Sequence, residues 1–135
     1  MNTAGLTFLI DDDDAYLYGI RKLIEYNHLC GQVMQFSNGR QAIEYIRAHI
    51  SDNNSLPDYI LLDLEMPIMD GWQFMEEFIL TRPQINKEMT IYVVSSSIDD
   101  RDKQKAKSIS AITDYLVKPM NTKSLKAVFL QEAVD

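Results

Sequence analysis

Short apolar runs alternate with amphipathic stretches five times along the chain, and this alternation predicts a parallel sheet with crossover helices. The first run covers residues 6–10. Behind it stand four aspartates, of which Asp14 is the expected N-cap of a helix with Leu17, Ile20 and Ile24 on one face. Residues 33–36 predict a second, weaker strand, and Asn38-Gly39 turns the chain into a helix with Ala42, Ile43, Ile46 and Ile50 in one stripe. Residues 59–62 are almost continuously apolar, as suits a strand buried on both faces, and they end on Asp63. A loop holding Pro67 and Gly71 leads to a helix over residues 72–80 that turns Phe74, Met75 and Phe78 inward and stops at Pro83. Residues 91–94 predict the fourth strand and residues 99–107 a charged, solvent-facing helix. Residues 115–117 predict the fifth strand, and residues 122–133 a last helix with Leu125, Val128 and Phe129 on one side. The expected class is α/β, with five strands and five helices in one domain over residues 1–135 and no output domain.

Composition narrows the picture. The 135 residues suit one domain, and 46% hydrophobic content is enough for a core without staples. Thirteen Lys and Arg against twenty Asp and Glu leave a net charge of −7, which repels a nucleic-acid backbone and argues against direct DNA or RNA binding. Cys30 is the single cysteine, so an internal disulfide and a cysteine-rich metal site are both excluded. No apolar stretch approaches the roughly 18 residues that span a bilayer. The N-terminus also lacks a basic segment followed by an apolar one, so the expected location is cytoplasmic, with no membrane partner.

Four like charges in a row at a strand end repel one another, and something must offset that cost. Polar residues stand at the carboxyl ends of four predicted strands: Asp11 and Asp12, Asp63, Ser95, and Lys118. In an open parallel sheet those ends line the crevice where ligands bind. Asp11, Asp12 and Asp63, from two strands, can share a divalent cation, and hard oxygen donors with room for water suit Mg²⁺. Lys118 and Ser95 add a compact positive charge and a hydroxyl, the groups that hold phosphoryl oxygens. The register of the acidic pair is open between Asp11–Asp12 and Asp12–Asp13. Ile10 is the last apolar residue, which favours the first register and leaves Asp13 to the loop.

Four pieces in this order resemble the receiver domains of two-component response regulators: the acidic pair behind the first strand, "LLDLEMPIMDG" over residues 61–71, Ser95 behind the fourth strand, and "YLVKP" over residues 115–119. The resemblance spans essentially the whole chain and implies a flavodoxin-like, doubly wound sheet of five parallel strands in the order 2-1-3-4-5. It implies that Asp63 is the phospho-acceptor, taking a phosphoryl group from a sensor histidine kinase or a histidine phosphotransfer protein. It also implies that Asp12, Asp63 and the backbone carbonyl of Glu65 hold Mg²⁺ directly, with Asp11 acting mainly through water. Lys118 would contact the phosphoryl group, Ser95 would move toward it, and Tyr115 would follow as the switch aromatic. The Lys118-Pro119 peptide would be cis, and Glu65 and Ser97 would flank the path of attacking water. The implied output is a downstream protein docked on the face of the fourth helix, fifth strand and last helix. Such a chain is a signalling module and no enzyme beyond its own phosphorylation and dephosphorylation.

Two other classes compete. A Mg²⁺-dependent phosphohydrolase with an aspartyl nucleophile also sets carboxylates at parallel strand ends, but it usually carries a second aspartate two residues past the nucleophile, where this chain has Glu65. A flavodoxin-like FMN carrier needs a hydroxyl-rich phosphate loop after the first strand, and here that loop is acidic.

Overall fold

The computed structural model describes residues 4–130. Strands β1 (Ala4–Ile10), β2 (Cys30–Phe36), β3 (Tyr59–Leu62), β4 (Thr90–Ser95) and β5 (Ile112–Val117) form one parallel sheet in the order β2-β1-β3-β4-β5. Helices α1 (Asp14–Tyr26), α2 (Gly39–Ala48), α3 (Gly71–Thr81), α4 (Asp100–Lys107) and α5 (Thr122–Leu130) alternate with the strands. This is the expected flavodoxin-like arrangement, and β3 lies at its centre.

The two-residue period of the strands divides the core into two layers. Phe8, Ile10, Ile60, Leu62, Ile91 and Val93 are buried against Ala42, Ile43 and Ile46 of α2, Phe74, Met75 and Phe78 of α3, and Ala106 of α4. Leu9, Leu61 and Val94 are buried with Leu17, Ile20 and Ile24 of α1 and with Leu125, Val128 and Phe129 of α5. Burying such a side chain contributes roughly 1.5–3 kcal/mol, so the number of anchors decides how firmly a helix is held. By that measure α4, whose one buried residue is Ala106, is held the most lightly of the five.

Several boundaries differ from the apolar pattern. Strands β2 and β5 begin at Cys30 and Ile112, ahead of their apolar runs. Both are edge strands, so outward residues such as Gln32 and Asp114 stay exposed and hide a ladder that continues to β1 and β4. Helix α2 stops at Ala48, and Ile50 packs against the core from outside it. The last residues expected in the final helix, 131–133, lie outside the described residues.

The cap of α1 is also displaced from the expected position. Asp13, not Asp14, is the N-cap: its backbone is extended (φ −97°, ψ 96°), and its side chain accepts from the Tyr16 N–H at 3.0 Å. The Asp13 N–H donates to Asp11 Oδ1 at 2.9 Å, which holds Asp13 in that geometry. Asp14 becomes the first helical residue, where its charge meets the positive end of the helix dipole.

Candidate functional site

The sheet register brings four strand ends to one rim. Ile10 pairs with Leu62, and the Asp63 N–H donates to the Ile10 carbonyl at 2.9 Å, so Asp63 stands beside Asp11. Ser95 pairs with Val117, and the Lys118 N–H donates to the Ser95 carbonyl at 2.9 Å. The rim encloses an open pocket of about 600 Å³ whose lining includes Asp11, Asp12, Asp63, Glu65, Ser95 and Lys118. The residues singled out at the strand ends thus meet in one place.

Each member of the four-aspartate run has its own surroundings. Asp11 is 4% exposed; its Oδ1 accepts from Asp13 and its Oδ2 accepts from the Lys118 ammonium at 2.8 Å. Asp12 is exposed at the pocket rim. Asp13 caps α1 and Asp14 opens it. Of the two registers the sequence left open, the structure groups Asp11 and Asp12 with Asp63: one carboxylate oxygen from each lies within 4.8 Å of the others.

Charge is unevenly compensated across the cluster. The Lys118 ammonium lies 2.8 Å from Asp11 and 3.6 Å from Asp63, so Asp63 receives the weaker share of its one positive charge. Burial therefore dominates at Asp63: with the Asp11 charge added and Lys118 opposing, its carboxyl is pushed up to about 6. Burial alone would lower the Lys118 ammonium, but the hydrogen bond and charge of Asp11, then the charge of Asp63, outweigh it and push it up. A buried, poorly compensated carboxylate beside a firmly cationic lysine suits an acceptor of a phosphoryl group.

The loop between Asp63 and α3 is fastened at Gly71. The Gly71 N–H donates to the Leu64 carbonyl at 2.9 Å; a Cβ there would collide with the Asp63 carbonyl and come within 2.9 Å of Leu64 Cα. Asp70 caps α3 in a capping box with Gln73. Within the loop Ile68 has φ 68°, a left-handed conformation unfavourable for a β-branched side chain, and it is 70% exposed. Glu65 is exposed in the same loop. The Lys118-Pro119 peptide is cis, as the resemblance implies.

Tyr115 reaches the pocket through Ser97. Its hydroxyl donates to the Ser97 carbonyl at 2.8 Å, while the Ser97 N–H donates to Ser95 Oγ at 3.1 Å. The Ser97 hydroxyl in turn donates to Asp102 of α4 at 2.7 Å. This junction was not legible in the sequence, where Ser97 stood out only for its place two residues past Ser95. Tyr16 was also missed: its ring lies under the Lys118 ammonium, 4.2 Å from Nζ to centroid. The available signal was an aromatic residue three positions after an aspartate that could cap the helix.

The chain matches the response regulator receiver domain family over residues 7–130. It is 28% identical over 121 residues to the probable methanogenesis regulatory protein FilR2 of Methanothrix harundinacea, covering 90% of this chain and 76% of that one. Protein PilH of Pseudomonas aeruginosa is 26% identical over 118 residues, 87% of this chain and 88% of that one. A solved structure, the two component response regulator from Cytophaga hutchinsonii, superposes with a TM-score of 0.85 at 25% identity, covering 97% of this chain and 100% of that one. Other curated relatives are far longer, and the chain spans 14%, 28% and 18% of three of them.

Proposed function

The chain belongs to the response regulator receiver domain family, and from that footing we propose that it is a phosphorylation-activated signalling switch with Asp63 as its acceptor. The observation that supports this most directly is the setting of Asp63, at the end of the central strand, 3.6 Å from the Lys118 ammonium and beside the Asp11 and Asp12 carboxylates. An Asp63 carboxylate oxygen attacks the phosphorus of a phosphohistidine on a sensor kinase or phosphotransfer protein. The P–N bond breaks, and its electron pair stays on the imidazole nitrogen. Lys118 then holds a phosphoryl oxygen with its charge.

The donor set fits a divalent cation, since three hard carboxylate oxygens share the rim of an open pocket with space for water. Asp12, Asp63 and the Glu65 carbonyl are the direct donors in this reading. Both Asp11 oxygens are already engaged, by Asp13 and by Lys118, which supports a water-mediated role for Asp11. Mg²⁺ bound there would offset the repulsion among the carboxylates and the charge that develops on the transferred oxygens.

Output follows from the junction at Ser97. For Ser95 to donate to a phosphoryl oxygen, its Oγ turns toward Asp63 and gives up the Ser97 N–H. Ser97 also holds the Tyr115 hydroxyl and Asp102, so the change passes to β5 and to the lightly anchored α4. The face of α4, β5 and α5 is therefore the docking surface for a downstream protein in this reading, within the cytoplasm. Among the described residues no helix is long and apolar enough to cross a membrane.

Acetyl phosphate with Mg²⁺ should raise the intact mass by one phosphoryl group, and Asp63→Asn should remove that gain. Equal labelling of the variant would overturn the assignment. Release of phosphate from a generic phosphomonoester, far beyond one equivalent, would move the reading to the phosphohydrolase. A panel of histidine kinases with labelled ATP identifies the physiological donor.

A further inference from the structure

Tyr16 belongs to none of the motifs that carry the family resemblance, yet it is one of three groups that close around the Lys118 ammonium. Asp11 Oδ2 lies at 2.8 Å, Asp63 Oδ1 at 3.6 Å, and the Tyr16 ring centroid at 4.2 Å. The Lys118 side chain is only 15% exposed, so the ring stands where water would otherwise solvate the charge.

Two features keep the ring there. Asp13 caps α1 by accepting from the Tyr16 N–H, which places Tyr16 in the first turn of the helix, directly behind the acidic strand end. The ring is half-buried and packs against the core that β1 shares with α1 and α5. It is therefore a wall tied both to the helix cap and to the core.

A lysine at this place must satisfy conflicting demands. Its stem is flexible and Asp63 is the farther carboxylate, so without a wall on its open side the ammonium turns toward water and away from Asp63. A further carboxylate could hold it forward but would repel an incoming phosphoryl group from a pocket that already carries Asp11, Asp12 and Asp63. A ring quadrupole attracts the cation without adding net charge and without taking up its N–H donors, which stay available to phosphoryl oxygens.

We propose that Tyr16 is a positioning residue for phosphotransfer: its ring face keeps the Lys118 ammonium in the pocket, within reach of Asp63, and so sets the rate at which Asp63 accepts a phosphoryl group. This rests on the function proposed above. The hydroxyl has no part in it.

The test uses the full chain, phosphoramidate as donor and Mg²⁺, with phosphoryl uptake followed by intact mass. Tyr16 is replaced by Phe, by Phe analogues bearing successively more ring fluorines, and by Leu. Fluorination drains the ring quadrupole while nearly preserving shape, so a packing role would leave the rate unchanged along the series. Phe should stay within about twofold of the parent, the rate should fall with each fluorine, and Leu should be about three- to tenfold slower. In a Lys118→Ala background the same series should be flat. If Leu prevents folding, the near-isosteric fluorinated series still decides. Uptake by the parent with a flat fluorine series in the chain that retains Lys118 overturns the inference and leaves the proposed function standing. No uptake by the parent, or equal uptake by Asp63→Asn, overturns the function and this inference with it.

Discussion

Replacing Asp63 by Asn should stabilise the metal-free protein at neutral pH. The carboxyl has an ordinary value of 3.8 and is pushed up to about 6 by burial and by Asp11, against the opposing charge of Lys118. The folded state therefore binds the proton more tightly than the unfolded state. Below about pH 4 both states are protonated and the site carries no charge cost. Between about pH 4 and 6 the unfolded carboxyl ionises first, and stability falls as pH rises; above about 6 the full cost stays in place. The gap between 3.8 and about 6, at about 1.4 kcal/mol per pH unit, amounts to about 3 kcal/mol. Asn keeps the size of the side chain and carries no charge at any pH. Urea unfolding in EDTA should thus show Asp63→Asn more stable than the parent by about 2–3 kcal/mol at pH 7.5, a midpoint higher by about 1 M or more. The difference should shrink toward zero at pH 4, and millimolar Mg²⁺ at pH 7.5 should narrow it by stabilising the parent more. Equal stability at pH 7.5, or a difference that is the same at both pH values, would refute the charge-cost account of the site.

Asp13→Ala removes the cap of α1 and should cost about 1 kcal/mol, whereas Asp14→Ala loses only a dipole contact and should cost about half of that or less; unfolding midpoints in the reverse order would contradict the cap assignment. Gly71→Ala should destabilise by about 1–3 kcal/mol, because the new methyl meets backbone at Asp63 and Leu64 that has little freedom to retreat, and phosphoryl uptake should slow as the loop shifts. A Gly71→Ala protein with parental stability would show the loop to be compliant. Ile68→Gly should stabilise by up to about 1 kcal/mol, since the exposed side chain contributes little packing and φ 68° suits glycine; thermal unfolding checks it, and a loss of stability would mean that Ile68 makes contacts that matter.

Much of the site can be read along the chain. Strand periodicity predicts where β1, β3, β4 and β5 end, and a parallel sheet gathers those ends, so Asp11, Asp12, Asp63, Ser95 and Lys118 are placed at one rim by the sequence pattern. The unbroken apolar run of β3 marks its central position, because only a strand covered on both faces can dispense with polar residues. The starts of β2 and β5 were not legible, since at a sheet edge the outward side chains answer to water while the backbone ladder answers to the neighbouring strand.

How the gathered residues divide the work depends on distances that no local pattern encodes. Four adjacent aspartates look alike in one dimension. In space Asp11 is buried against Lys118, Asp12 faces the pocket mouth, Asp13 caps α1 because Asp11 holds its N–H, and Asp14 sits in the first turn. The contact of Tyr16 with Lys118 joins the first helix to the end of the last strand, and the Ser97 junction ties Ser95, Tyr115 and Asp102 by bonds whose partners are set by packing. Residue type and spacing specify which groups can reach the rim, because they follow from backbone periodicity. Charge sharing, burial and hydrogen-bond partners follow from the folded packing, because Coulomb energy and desolvation depend on separations across the sheet and not on separations along the chain.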